Sequence, residues 1–258
     1  MPTPARLPRV DAGRALAGAT VVVTRPDATA LLRSARRLGA CALSLPGLSL
    51  RALPVARPPG AIDAWIFTSP AAVRFALDRT PCLSVPARAV VFAVGAGTRA
   101  ALARHGIDAT APDRADSEGL LALPGLGDMH GRRLALVGAP GGRDLIAPTL
   151  RARGADVLPI HVYRRLPPRL TRRHFDALAV AKDPLVTLLS SGEALANLVA
   201  ALPSPLLARL RARPIVVSSA RLAAAARAAG FAEIATAASA APRDLLATAS
   251  RALADRRT

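Results

Sequence analysis

The chain carries one α/β unit written nearly twice, and this repetition restricts its possible folds more than any other feature. From Thr20 to Gly127 the order runs strand, helix, strand, then TSPAAV, VGAGTRAALARHG and SEGLL. From Arg132 to Leu253 the same order returns with LALVGAPGGRDLI, LSSGEAL, VSSARLAAAARAAG and PRDLL. Strands alternating with helices specify parallel sheets with right-handed crossovers. Two copies predict two similar lobes, and two lobes predict a cleft. Open α/β sheets bind ligands beyond the carboxyl ends of their strands. Here those ends carry Gly, Ser and Thr.

Individual elements follow from local pattern. Val21–Val23 reads as a buried parallel strand. Pro26 suits a helix start, and Leu31, Leu32, Ala35 and Leu38 recur at helical spacing until Gly39. Strands are expected through Leu43 and Leu45, at 64–68 and at 89–94, with Ser117 capping a short helix. In the second copy strands are expected at 134–137, 158–163, 185–189 and 215–217, with helices at 141–154 and 220–229. Pro46 to Pro59 and Arg164 to Arg169 read as proline-bearing connectors at matching places. Two topologies are open on this reading. Each copy folds alone, or the connectors cross, so that one lobe takes both chain ends.

The apolar fraction of 52% fills two cores, but aromatics are only 3%, so Ala, Leu and Val must do the filling. No apolar run reaches the roughly 18 residues of a membrane span. The first twenty residues lack an apolar stretch of the signal-peptide kind, so a cytoplasmic protein is expected. Cys41 and Cys82 have no zinc or CxxC spacing and read as reduced, partly buried thiols. The net charge is +18, and every basic residue but Lys182 is Arg. These charges are scattered and not interleaved with aromatics, which argues against a dedicated nucleic-acid face. Solvated surface or an anionic small ligand accounts for them better.

The strand-to-helix turns are where chemistry is expected. They offer free backbone N–H groups and the positive end of a helix dipole, which attract carboxylates and phosphates. The candidates are Arg25 beside Thr24, Thr68 and Ser69, Gly95 and Thr98, Gly142 and Arg143, Ser190 and Ser191, and Ser218 and Ser219. Taken singly, each Ser or Thr is an ordinary helix cap. Nucleotide fingerprints fail: the run from Gly95 to Thr98 lacks the third glycine, and no GxxxxGK[ST] occurs. His105, His130, His161 and His174 show no metal spacing. His105 reads as an exposed helix-end residue. His161 and Tyr163, two apart on one strand, are expected to share a face. Tyr163 is the only tyrosine. It reads either as a strand aromatic or as a phenol that donates a proton.

These residues resemble the uroporphyrinogen-III synthase family. The most specific stretch is GRRLALVGAPGGRDLIAPTLRARGADVLPIHVYRR, Gly131 to Arg165, joined by VTRP at Val23, IFTSPAAV at Ile66, VGAGTRAAL at Val94, SEGL at Ser117 and SSGEAL at Ser190. The resemblance spans about residues 20 to 250. It implies two flavodoxin-like, doubly wound parallel-sheet lobes joined by a two-stranded β-ladder. The first lobe is then residues 1–45 plus 168–258, the second 52–162, and the linker strands 42–53 and 158–168.

The resemblance also implies a cofactor-independent lyase of tetrapyrrole and heme biosynthesis. Its substrate is hydroxymethylbilane, a linear tetrapyrrole with eight carboxylates, closed with loss of water and inversion of ring D. By matching position, Tyr163 is implied as proton donor to the departing hydroxyl. Ser69, Thr98, Ser190 and Ser191 are implied as carboxylate-binding or backbone-positioning residues. A monomer without nucleic-acid or membrane partners is expected, with no metal. Two departures stand out. The family's Gly-Pro-Thr-Thr turn reads Ser219-Ala220-Arg221-Leu222, where Ser218 and Ser219 are the available substitutes. The Arg-Gly of its helix-opening loop reads Val137-Gly138, with Arg143 retained. A non-catalytic binder of a polyanionic small molecule is the alternative, and a nucleic-acid binder the weaker third.

Overall fold

A computed structural model describes residues 14–56, 58–78, 83–141 and 145–256. In chain order the elements begin with β1 (Thr20–Val23), α1 (Thr29–Arg37), β2 (Cys41–Ser44) and β3 (Ser49–Ala52). Then come β4 (Ala64–Phe67), α2 (Pro70–Leu77), β5 (Val90–Ala93), α3 (Ala96–Ala103) and α4 (Ser117–Leu121). The middle continues with β6 (Arg133–Gly138), α5 (Ile146–Ala152), β7 (Asp156–His161) and β8 (Tyr163–Leu166). The last third holds α6 (Arg172–Ala179), β9 (Leu185–Leu189), α7 (Gly192–Ala201), α8 (Ser204–Arg211), β10 (Ile215–Val217), α9 (Ala220–Ala228), β11 (Ile234–Thr236) and α10 (Pro242–Ala254).

The chain divides into two compact units. One takes the residues up to Ser49 together with those from Pro167 onward; the other runs Leu50–Leu166. The first unit holds a five-stranded sheet in the order β11-β10-β9-β1-β2, so both chain ends contribute strands to it. All its pairings are parallel. Counted within the unit, this is the 2-1-3-4-5 order of doubly wound flavodoxin-like sheets. The second unit holds the parallel sheet β5-β4-β6-β7. A parallel bridge from Phe92 to Thr110 adds a fifth position beyond β5. Read from the other edge, β7-β6-β4-β5 repeats the order β2-β1-β9-β10 of the first sheet. The duplication visible in the sequence is therefore a duplication of strand order.

Each sheet is covered on both faces, and alternation along the strands divides the side chains between them. In β1, Val22 joins one core with α7, α8 and α9, while Val21 and Val23 join the other with α1 and α10. In β4, Trp65 and Phe67 face α2 and α3, while Ala64 and Ile66 face α4 and α5. With so few aromatics, Leu, Val and Ala supply most of this packing.

β3 and β8 form a separate two-stranded ladder, continued by Leu53 N–H donating to the Val162 carbonyl at 3.0 Å. It is narrower than the spans 42–53 and 158–168. Residues 41–44 and 156–161 instead find partners on β1 and β6, within the parallel sheets. Pro159 is tolerated in β7 because that strand is a sheet edge. The stretch from Pro46 to Pro59 is also more than a connector, since Leu48 is buried in a core and β3 lies within it.

Candidate functional site

In the first unit β10, β9 and β1 are neighbours, so the turns after them open side by side at one end of the sheet. Thr24 is buried and its Oγ1 donates to the Leu188 carbonyl at 2.8 Å, tying the end of β1 to β9. That fixes the next residue. The Arg25 Nε donates to Ser190 Oγ at 3.0 Å, and its Nη2 donates to the Ala240 carbonyl. Burial draws the Arg25 guanidinium below its ordinary value; it stays cationic near neutral pH. Ser191 caps α7 by accepting the Ala194 N–H at 3.3 Å, and Ser219 caps α9 by accepting the Leu222 N–H at 3.3 Å. Each of these oxygens spends a lone pair on its helix and keeps its own O–H to donate. Ser218 is half-buried just beyond β10. One cation, several hydroxyl donors and two helix starts make this end of the unit suited to carboxylates.

In the second unit the corresponding turns follow β6, β4 and β5. Thr68 Oγ1 donates to the Val137 carbonyl at 3.1 Å. Ser69 caps α2 by accepting the Ala72 N–H at 3.0 Å. Gly95 precedes α3 with an extended backbone, and a Cβ there would meet the Cβ of Ala115 at 2.5 Å. Thr98, in the first turn of α3, is buried. Tyr163 opens β8 with its ring buried and stacked on Phe75, the centroids 5.2 Å apart and the planes at 22°. Its hydroxyl lies 3.2 Å from Ser69 Oγ. Arg165, two residues on, donates to the Gly141 carbonyl at 2.7 Å and the Pro140 carbonyl at 3.3 Å, holding the loop after β6.

A family model described as uroporphyrinogen-III synthase HemD matches residues 29–247. The chain belongs to the uroporphyrinogen-III synthase family. Over 150 residues it is 37% identical to the uroporphyrinogen-III synthase of Salmonella typhimurium, an alignment covering 54% of this chain and 58% of that protein. The uroporphyrinogen-III synthase of Escherichia coli is 35% identical over 150 residues, with the same shares. The chain thus spans a little over half the length of these curated relatives. Two solved structures share the fold. The uroporphyrinogen-III synthetase of Helicobacter pylori superposes with a TM-score of 0.63 at 15% identity, covering 89% of this chain and 97% of that one. A mutant uroporphyrinogen III synthase from Thermus thermophilus gives 0.56 at 22% identity, covering 92% and 100%.

Against the uroporphyrinogen-III synthase pattern, the structure gathers the sequence candidates into two groups, one in each unit. Arg25, Ser190, Ser191, Ser218 and Ser219 lie at the strand ends of the first unit; Thr68, Ser69, Gly95, Thr98 and Tyr163 belong to the second. Gly142 and Arg143 lie outside the described residues, as does Cys82. Thr24 and Thr68 spend their hydroxyl protons on the backbone, and Thr98 is enclosed in the interior, so these threonines shape their turns from within. Leu222, standing where the family has threonine, is buried in the core beneath α9, while Arg221 is exposed.

Several expectations need correction. His161 and Tyr163 do not share a face. The chain leaves the β6 pairing after His161 and turns through buried Val162 into the ladder, so His161 is exposed while Tyr163 is buried. The cap of α4 is Asp116, which accepts the Gly119 N–H at 2.8 Å, and Ser117 is the first helical residue. α1 starts at Thr29, three residues beyond Pro26. Cys41 is exposed at the start of edge strand β2. His105 is exposed just past α3, as its position implies, and pairs with Asp78 at 2.8 Å. Phe75 has little prominence in the sequence. Its only signal there is an aromatic on the apolar side of the helix that follows TSP. Among the described residues no cluster of three His, Cys, Asp or Glu is placed to hold a metal, and no helix is long and apolar enough to cross a membrane.

Proposed function

We propose that this chain is a cofactor-independent uroporphyrinogen-III synthase of tetrapyrrole and heme biosynthesis. It closes hydroxymethylbilane to uroporphyrinogen III with loss of water and inversion of ring D. The family match across residues 29–247 carries this reading. The arrangement of side chains supports it with a compatible chemistry.

The reaction begins when the hydroxymethyl C–O bond breaks and the hydroxyl leaves as water, which needs one proton. Tyr163 is the proposed donor, its hydroxyl beside Ser69 Oγ at the start of α2. There the positive end of the helix dipole favours negative charge left behind on the phenol. The resulting azafulvene is attacked by the substituted α-carbon of the terminal pyrrole, giving a spiro intermediate. That intermediate fragments, and the ring recloses through its free α-carbon. Loss of the hydrogen on that carbon returns the proton, so the net change is loss of one water.

The unaided bilane closes to the other isomer, so the enzyme's main task is to impose a folded geometry. Arg25, Ser190, Ser191, Ser218 and Ser219 are proposed to hold substrate carboxylates, with the Thr68–Ser69 turn, the backbone at Gly95, and Gly142 and Arg143 serving the same end. Thr98 is proposed to support its turn. The partner is then an octa-anionic linear tetrapyrrole, matched by a chain of net charge +18. A monomer in the cytoplasm remains the expected form. Incubation with freshly prepared hydroxymethylbilane and separation of the oxidised products by isomer tests the proposal. Isomer III is expected. Isomer I alone, with tight retention of the bilane, would instead favour a binding protein.

A further inference from the structure

We propose that Phe75 is a positioning residue for Tyr163, and that α2 holds this tyrosine at two points, by its hydroxyl and by its ring. The inference deepens the cyclase reading and rests on it for its kinetic consequence only.

Tyr163 lies on a four-residue strand whose partner in the ladder is β3, outside the parallel sheet. The sheet therefore does not dictate where its phenol points. Its χ1 torsion sets where that oxygen lies, and χ2, about the axis that runs through the oxygen, sets the plane of the ring. One helix supplies both constraints. Ser69 Oγ is pinned by the Ala72 N–H at 3.0 Å and meets the phenol oxygen at 3.2 Å. Phe75, six residues on, stacks on the ring at 5.2 Å and 22°. Both rings are buried, Phe75 at 9% and Tyr163 at 6% exposure, so the stack is part of a close-packed core with little room to swing. Arg74 adds a contact to the same ring, its guanidinium carbon 4.9 Å from the Phe75 centroid. An aliphatic side chain fills much of the same volume but presents no plane to set the phenol's tilt. A ring without that stack can also rock about χ1, which does move its oxygen, and a proton donor displaced by about an ångström loses a large part of its rate advantage.

The test compares Phe75→Leu and Phe75→Tyr with the unaltered chain, using hydroxymethylbilane turnover and the ultraviolet resonance Raman doublet of tyrosine. Because the chain has a single tyrosine, the doublet in the unaltered protein and in Phe75→Leu reports Tyr163 alone. Phe75→Leu is expected to unfold cooperatively, to lower kcat about 10-fold with KM changed less than about 2-fold, and to shift the doublet ratio. Phe75→Tyr, which keeps the stack, should bring kcat back to within about 3-fold of the unaltered value. If Phe75→Leu does not fold, Phe75→Met takes its place in both arms. Wild-type kcat and an unshifted doublet in a folded aliphatic variant would overturn the proposal. So would a rate loss that Phe75→Tyr fails to restore. If the unaltered chain makes no isomer III, the cyclase reading fails separately, and the doublet alone decides whether Phe75 holds the phenol.

Discussion

Thr24 and Thr68 tie the same pair of equivalent strands from opposite members. Thr24 follows β1 and donates its Oγ1 proton to Leu188 on β9 at 2.8 Å. Thr68 follows β4, the counterpart of β9, and donates to Val137 on β6, the counterpart of β1, at 3.1 Å. In each case the backbone N–H of the threonine bonds the same carbonyl, at 3.3 and 3.1 Å. The position facing Thr68 is Gly138, where any Cβ would collide with Thr68 Oγ1. The glycine that ends β6 is therefore a steric consequence of the threonine beside it.

Replacing Thr24 by Val keeps the shape and removes the hydroxyl. The Leu188 carbonyl retains the Thr24 N–H, so the expected cost is about 1 kcal/mol rather than that of a fully orphaned group. For a protein of this size that lowers Tm by about 2–4 °C. Thermal unfolding followed by circular dichroism measures it. An unchanged Tm would show that the side-chain bond adds nothing to the backbone one.

Gly47 joins the turn after β2 to both Thr24 and α7. Its N–H donates to the Thr24 carbonyl at 2.9 Å, and its carbonyl accepts from Asn197 Nδ2 at 3.0 Å. A Cβ at Gly47 would lie 2.6 Å from the Ala194 carbonyl oxygen and 2.8 Å from the Ala194 Cα. Backbone atoms of a helix cannot step aside as a side chain can. Gly47→Ala is expected to destabilise by about 1–3 kcal/mol through overpacking. Because Ala194 also donates to Ser191, the variant should weaken substrate affinity along with stability. Urea unfolding gives the first quantity and KM the second.

Tyr163→Phe is expected to lower kcat about 10- to 100-fold. It should change Tm little, because the ring and its stack on Phe75 remain and Ser69 keeps its bond to the Ala72 N–H. Turnover of hydroxymethylbilane by the folded variant measures the effect. An unchanged rate would remove the phenol from the mechanism and leave Tyr163 a core aromatic.

Much of this architecture was legible in the chain because it rests on local signals. β9 and β10 are read at their observed ends, since runs such as Leu185–Leu189 are apolar but for Thr187 and bounded by breakers. The repeated TSP and SSG turns likewise mark the strand ends at which Ser69 and Ser191 cap their helices. What escaped depends on partners distant in sequence. Whether the copies fold alone or exchange strands is decided by β1 pairing with β9, some 165 residues away, as Thr20 with Leu185. The Tyr163 environment joins residues 69, 75 and 163, and only the folded chain brings them together. The cap of α4 is ambiguous in the sequence for a local reason. Asp116 and Ser117 are adjacent and both good caps, and Asp116 has the extended backbone the position requires.

The acid limb of stability should depend on Asp183 and Arg213. Arg213 Nε and Nη2 donate to the two carboxylate oxygens of Asp183 at 2.7 and 2.9 Å, a bidentate pair linking the loop before β9 to the loop before β10. The Arg213 hydrogen bond, opposed by some desolvation and aided by the charges of Arg213, Arg209 and Arg256, holds the Asp183 carboxyl below its ordinary value. A carboxyl whose folded value lies below its unfolded one stabilises the fold when ionised in both states, above the ordinary carboxylate range near about pH 4. That contribution fades as pH falls through the lower, folded value. Asp244 has the same sign, held down first by the Ser239 hydroxyl and then by Arg243. The Asp183–Arg213 pair is partly exposed, at 46% and 30%, so solvent screening keeps its contribution modest. Arg213→Gln should therefore unfold at lower urea than the unaltered chain near neutral pH, and the gap should close as the solution is acidified below about pH 4. Added salt should narrow the neutral-pH gap as well. A gap that stayed constant down to about pH 3 would mean that Arg213 stabilises its loop by packing, not through the charge of Asp183.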